Sequence, residues 1–162
     1  MTDGGGADEQ LEDAMDGGAA TTDEWAGWTL WNGRDPFEDH CGPYHWRELD
    51  GGGWITGFTA GPHHMNGDGA MHGGCVMTFA DYSLFVIARD ALRDHSSVTA
   101  TFNAELVGTA RVGERVECTG EVVKAGRSMV FVRGLVVNVT AGDDPMMSFS
   151  AVIKKTGRRV DR

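Results

Sequence analysis

The stretch Asn66-Gly67-Asp68-Gly69-Ala70-Met71-His72-Gly73-Gly74, followed seven residues later by Asp81, holds the residue types from which acyl-transfer chemistry can be assembled. If a helix starts at Gly73, its first turn presents unpaired backbone N–H groups and the positive end of its dipole. Glycine at 73 and 74 leaves no side chain between those N–H groups and a ligand oxygen, as a carbonyl-polarising site or oxyanion hole requires. The same two glycines also suit a plain loop-to-helix junction. Asp81 falls inside an apolar run, where an ionised carboxylate needs compensation and a buried one is often catalytic. An ion pair with Arg89 or Arg93, or a solvent-facing position, would satisfy it as well.

Geometry limits how these groups cooperate. At about 1.5 Å of rise per residue, Asp81 lies roughly 10–12 Å along the axis from the N–H groups of Gly73 and Gly74. One helix cannot place both around a single carbon. If they act together, the carboxylate comes from a second copy of the chain. Two antiparallel helices related by a two-fold axis would set each Asp81 beside the other's N-terminus.

The elements that must hold these groups follow from pattern. Residues 73–92 are apolar on all sides of a helical wheel, so the helix is buried inside a protein. Before it, Gly61 to Gly69 is a loop by its glycine and proline density. Tyr44 to Leu49 and Trp54 to Thr59, separated by Asp50-Gly51-Gly52-Gly53, form a hairpin. Ser97–Val107, Arg115–Lys124, Met129–Val139 and Met146–Lys155 are strands with short glycine-bearing links, which favours antiparallel pairing. Trp25, Trp28, Leu30, Trp31 and Phe37 mark a short leading helix or irregular segment packed on the domain. The class is α+β, a long curved antiparallel sheet wrapped around one central helix.

Of 162 residues, 14 are Lys or Arg and 24 are Asp or Glu, a formal charge of −10. Residues 1–24 carry eight of the acids and no base. Subtracting them leaves 16 acids against 14 bases, about −2 for the remainder. The segment 1–24 is read as a disordered acidic tail, and 25–162 as one domain. No basic stripe offers a surface for nucleic acid or an anionic membrane. No apolar run reaches the ~18 residues of a membrane span, and the N-terminus has no signal-peptide pattern. Three cysteines, Cys41, Cys75 and Cys118, make no disulfide framework. These features suit a cytoplasmic protein.

The spacing Asn66-x-x-Gly69-x-x-His72-Gly73-Gly74 with Asp81 resembles the signature of hotdog-fold acyl-CoA thioesterases, in particular the phenylacetate-pathway branch. Val98-Thr99-Ala100-Thr101-Phe102-Asn103, Gly113-Glu114 and Ala125-Gly126-Arg127 extend the resemblance over about residues 40–155. The resemblance implies hydrolysis of an acyl-CoA to free acid and coenzyme A, by a homodimer that pairs further into a homotetramer. Asp81 would activate water or attack the carbonyl itself. The Gly73 N–H would stabilise the oxyanion, while Asn66 and His72 would fix the loop and orient the thioester or water. Thr99, with Thr101 as its rival, would hold the carboxylate or the water. The family site spans a subunit interface, with Asn66, His72 and Gly73 from one chain and Asp81 and Thr99 from the other. Gly74, Met71, Tyr82 and Arg127 would contact substrate. Arg127, with Lys124, Lys154 and Lys155, would meet the phosphates of coenzyme A, which is substrate; no cofactor is needed. Core packing explains Met65, Met71, Met77, Phe79, Tyr82 and Phe85 as readily as an acyl pocket does.

Other chemistries fit less well. Cys41-x-x-x-His45 has a tolerable ligand spacing, but no second element completes a zinc site. The Gly67–Gly74 loop has no Lys-Ser/Thr for a phosphate. A non-catalytic acyl-thioester-binding protein of the same fold has no need for a carboxylate beside the carbonyl. A hydratase would need its acid–base pair on the central helix, whereas His72 precedes the helix. Cys75 reads as a small packing residue.

Overall fold

The computed structural model describes residues 23–32 and 35–158. The expected disordered tail therefore lies outside the described residues, apart from its last two. Of those, Glu24 accepts a hydrogen bond from the Thr59 hydroxyl at 3.1 Å. After a single turn at Asp23–Trp25, the chain forms β1 (Thr29–Trp31), α1 (Pro36–Cys41), β2 (Tyr44–Glu48) and β3 (Trp54–Thr59). A loop with one turn at Pro62–His64 leads to α2 (Gly73–Ile87) and the short α3 (Arg89–Leu92). Strands β4 (His95–Leu106), β5 (Arg115–Ala125), β6 (Met129–Asn138) and β7 (Asp144–Arg158) complete it.

The seven strands form one antiparallel sheet in the order β1-β2-β3-β5-β6-β7-β4. The strand after the helix, β4, thus pairs with the last strand and ends the sheet. Helix α2 lies across the middle and packs on β3, β5, β6, β7 and β4. Its buried side chains Val76, Phe79, Ala80, Leu84 and Ile87 join Phe58, Val116, Val132 and Ile153 of the sheet in one core. Helix and sheet come close at Gly120, where a Cβ would sit 2.8 Å from Ile87 Cδ1, and the Phe149 ring of β7 lies over Gly134, where a Cβ would sit 2.4 Å from it. The buried Ser83 hydroxyl lies 2.6 Å from that of Thr56 on β3, tying helix to sheet.

The expected α+β architecture is what the chain forms. Two local expectations change. The single helix over 73–92 is broken at Ala88, where ψ is near 1°. Beyond the break the Arg89 guanidinium lies 4.1 Å from the Trp46 ring centroid and 4.2 Å from that of Trp54, while Leu92 stays buried. The leading segment, expected as a short helix or irregular chain, forms β1 followed by α1. Asp35 caps α1 by accepting from the N–H groups of Phe37 and Glu38, with Pro36 at the first helical position.

Candidate active site

His72, the N-cap of α2, accepts a hydrogen bond from the Gly74 N–H through Nδ1 at 2.9 Å. A neutral ring that accepts at Nδ1 carries its proton on Nε2, so His72 turns a donor outward. Gly74 serves this cap directly, because a Cβ there would lie 3.0 Å from His72 Nδ1. The N–H groups of Cys75 and Val76 reach the His72 carbonyl. Among the described residues the Gly73 N–H has no partner, and it remains the open donor of the first turn.

The loop before the helix is built around Asn66 and His64. Asn66 Oδ1 accepts from the N–H of Asp68 at 2.9 Å and of Ala70 at 3.1 Å, so its carbonyl is used within the loop and its amide N–H₂ is exposed. His64 is buried, with Nδ1 accepting from Gly61 and Nε2 donating to the Cys41 carbonyl at 2.8 Å. Burial pushes its proton affinity below the usual histidine value. The His72 N–H donates to the His64 carbonyl, passing this anchoring on to the helix start.

Asp81 is half-buried and accepts a 2.7 Å hydrogen bond from the Thr99 hydroxyl. Neither arginine considered from sequence reaches it. Arg89 is held between its two indoles, and Arg93 pairs with Asp90 at 3.1 Å. Thr99 is distinguished from Thr101 by a register shift of β4 between the two. The extra residue turns Thr101 outward and leaves Thr99 and Phe102 on the helix side. Asp81 and Phe102 line a groove of about 270 Å³ with Phe37, Glu38, Met77 and Thr78. Gly74, Met77, Thr78, Asp81 and Phe85 follow one stripe of α2 that the sheet does not cover, and Met77 is 43 % exposed there.

The remaining candidates are dispersed. Met71 is core, with only 4 % of its surface exposed. Tyr82 packs on Tyr44 and Phe79, with its hydroxyl unpartnered, and also lines a cleft of about 1100 Å³ with Trp31, Phe85 and Arg89. Arg127 is exposed in the turn between β5 and β6. Of the four candidate cations, Lys124 and Arg127 lie at the end of the β5–β6 hairpin, and Lys154 and Lys155 on the neighbouring β7. Lys155 Nζ donates to the Gly126 carbonyl, and Lys154 follows Ile153, the register partner of Thr99. Burial pushes the Cys75 thiol up to about 11, so it is not a nucleophile near neutrality. No cluster that could hold a metal occurs among the described residues. No described helix is long and apolar enough to cross a membrane.

Sequence reasoning missed Glu38. It lines the same groove as Asp81, and burial, then Asp35 and Asp81, push its carboxyl up to about 7. The pattern Asp35-Pro36-x-Glu38, with proline at the first and an acid at the third helical position, is a helix-start signal that would have announced α1.

Comparison with known proteins gives a consistent picture. The family described as the thioesterase superfamily matches residues 68–143, which include α2, Asp81 and Thr99. A Pseudomonas aeruginosa protein named "Putative esterase PA0474" is 30 % identical over 97 residues, covering 59 % of this chain and 72 % of that protein. A Streptococcus pneumoniae hypothetical thioesterase solved with coenzyme A superposes with a TM-score of 0.63 at 17 % identity, over 72 % of this chain and 88 % of that one. The Escherichia coli PaaI protein, from the phenylacetic acid degradation operon, gives 0.60 at 16 % identity over 67 % and 75 %. These two solved structures share the fold, a curved antiparallel sheet around a central helix.

Proposed function

The chain belongs to the thioesterase superfamily, and from that premise we propose that this thioester hydrolase cleaves an acyl-CoA to free acid and coenzyme A at a site shared by two copies of the chain. The observation that carries this reading is the Asp81 carboxylate, held by Thr99 on the uncovered stripe of the helix whose first N–H is open. Eight residues of helix separate Gly73 from Asp81, about 12 Å. Two chains packed along this stripe, helices antiparallel, bring each Asp81 to the other's Gly73. The unpaired outer edge of β4 is available to the same partner, and Met77 and Phe37 supply apolar surface to cover.

In this site the thioester oxygen lies against the Gly73 N–H, which donates more strongly as charge develops on it. Asp81 takes a proton from water as the water oxygen bonds to the carbonyl carbon, and the π pair moves to the carbonyl oxygen. When that pair returns, the C–S bond breaks and coenzyme A leaves as the thiolate. Direct attack by Asp81 would use the same two groups and add an anhydride that water then opens. Thr99 fixes the carboxylate rotamer in either case. Asn66 and His72 keep the loop and the helix start in register, with the His72 Nε2–H turned outward toward substrate. Lys124 and Arg127 of the β5–β6 hairpin and Lys154 and Lys155 of the adjacent β7 would suit the phosphates of coenzyme A.

The test is release of coenzyme A from aryl-, short- and medium-chain acyl-CoAs, followed by loss of thioester absorbance so that the three cysteines do not interfere. Turnover by the wild type and none by Asp81→Asn supports the reading. Binding of acyl-CoA without release by the wild type overturns it in favour of a binding protein.

A further inference from the structure

We propose that Glu38 is a positioning residue that tunes the reactivity of Asp81 across the groove they share. The inference rests on the reading of Asp81 as the reactive carboxylate. Glu38 on α1 and Asp81 on α2 line the same 270 Å³ groove, and its other walls, Phe37, Met77, Thr78 and Phe102, carry no charge. The groups facing Glu38 are Asp35 before its own helix, Asp39 and Cys41 on it, Trp31 on β1, Tyr44 on β2, and Asp81 and Tyr82 on α2. Burial holds Cys41, Tyr44 and Tyr82 in their neutral forms. None of these groups is a cation. The Trp31 side chain hydrogen-bonds to Glu38, and the remaining charges are carboxylates.

Two carboxyl groups lining one groove resist carrying two charges, and the Asp81 carboxylate is among the groups that raise Glu38. Glu38 holds its proton to about 7. As Glu38 ionises, its negative charge repels that of the Asp81 carboxylate across the groove. In the transition state charge leaves Asp81 for the distant carbonyl oxygen, which relieves the repulsion. This holds whether Asp81 removes a water proton or attacks the carbonyl, because electron density leaves Asp81 in both. Glu38 itself exchanges a proton only with solvent. Repulsion relieved in the transition state lowers the barrier. A repulsion equivalent to one pKa unit is a factor of about ten, part of which appears in the rate. kcat/KM therefore rises about three- to tenfold as pH increases through about 7.

The experiment is the pH profile of kcat/KM, with spontaneous hydrolysis subtracted, for wild type, Glu38→Gln, Asp35→Asn and Asp81→Asn. Glu38→Gln loses the rise near 7 and stays at the low-pH rate. Asp35→Asn keeps the helix cap but removes a charge that raises Glu38, so the rise moves to lower pH. A purely structural role for either residue would not move this limb. If Glu38→Gln does not fold, the shift in Asp35→Asn decides. A rise unchanged in Glu38→Gln, or unmoved in Asp35→Asn, overturns the inference while an inactive Asp81→Asn leaves the hydrolysis reading standing. Retained activity in Asp81→Asn overturns both, and so marks failure of the underlying reading rather than of the role of Glu38.

Discussion

The Thr99 hydroxyl donates to Asp81 Oδ1 at 2.7 Å, joining the strand after the helix to the middle of the helix. A carboxylate held by a neutral hydroxyl keeps its lone pairs directed, whereas an arginine partner would make it a weaker base. Among the described residues no cation forms an ion pair with Asp81.

Thr99→Val keeps the shape of the strand and removes this donor. The loss of one hydrogen bond to a charged group, about 1.5–3 kcal/mol, should lower kcat roughly ten- to hundredfold with KM little changed. Thr99→Ser should retain most of the activity. Thr101→Val, on the outward side of the register shift, should have little effect. Steady-state kinetics of the three variants decides, and equal losses at 99 and 101 would contradict the role given to Thr99.

Asn66 has two separable contributions. Its Oδ1 holds the loop through Asp68 and Ala70, and its amide donors face outward. Asn66→Asp keeps the acceptor and loses the donors, whereas Asn66→Ala loses both. Activity lost in both variants, with melting temperature lowered only in Asn66→Ala, would assign the donors to substrate or water. An active Asn66→Asp would confine Asn66 to holding the loop.

His64 couples loop stability to pH. Its folded proton affinity is depressed, so its stabilisation is present above the unfolded value of about 6.5 and is lost as pH falls through the folded pKa. Protonation would set an Nδ1–H against the Gly61 N–H that it now accepts. His64→Ala removes two hydrogen bonds, about 2–3 kcal/mol in all, and should flatten the fall in melting temperature below about pH 6.5. A melting profile as steep as that of the wild type would contradict this. His45 is depressed in the same direction, so part of the slope should remain.

Much of this was legible before any coordinates. The helix from Gly73 could be read because its apolar residues leave no polar face, and the two strand groups because glycine-rich turns separate them. The position of β4 could not be read. It pairs with a strand some fifty residues later, and local pattern carries no trace of a partner that distant. Nor could Thr99 be separated from Thr101, since a bulge that flips one residue leaves no mark in composition. Glu38 was hidden for a related reason. Its helix start was written in the sequence, but its meeting with Asp81 depends on how α1 packs against α2.

The central claim is that Gly73 and Asp81 act from different chains, and mixing two dead variants tests it most directly. Gly73→Pro deletes the open N–H at the first helical position, where proline is tolerated, and follows His72, whose extended backbone accepts a proline next. Removing one oxyanion donor should cost about 10²–10³ in kcat, and Asp81→Asn should be inactive. Co-refolded in equal amounts, half of the dimers are mixed, and each mixed dimer has one site with both groups intact. The account predicts recovery to about one quarter of wild-type activity. A mixture no more active than its components would place both groups in one chain and contradict the shared site.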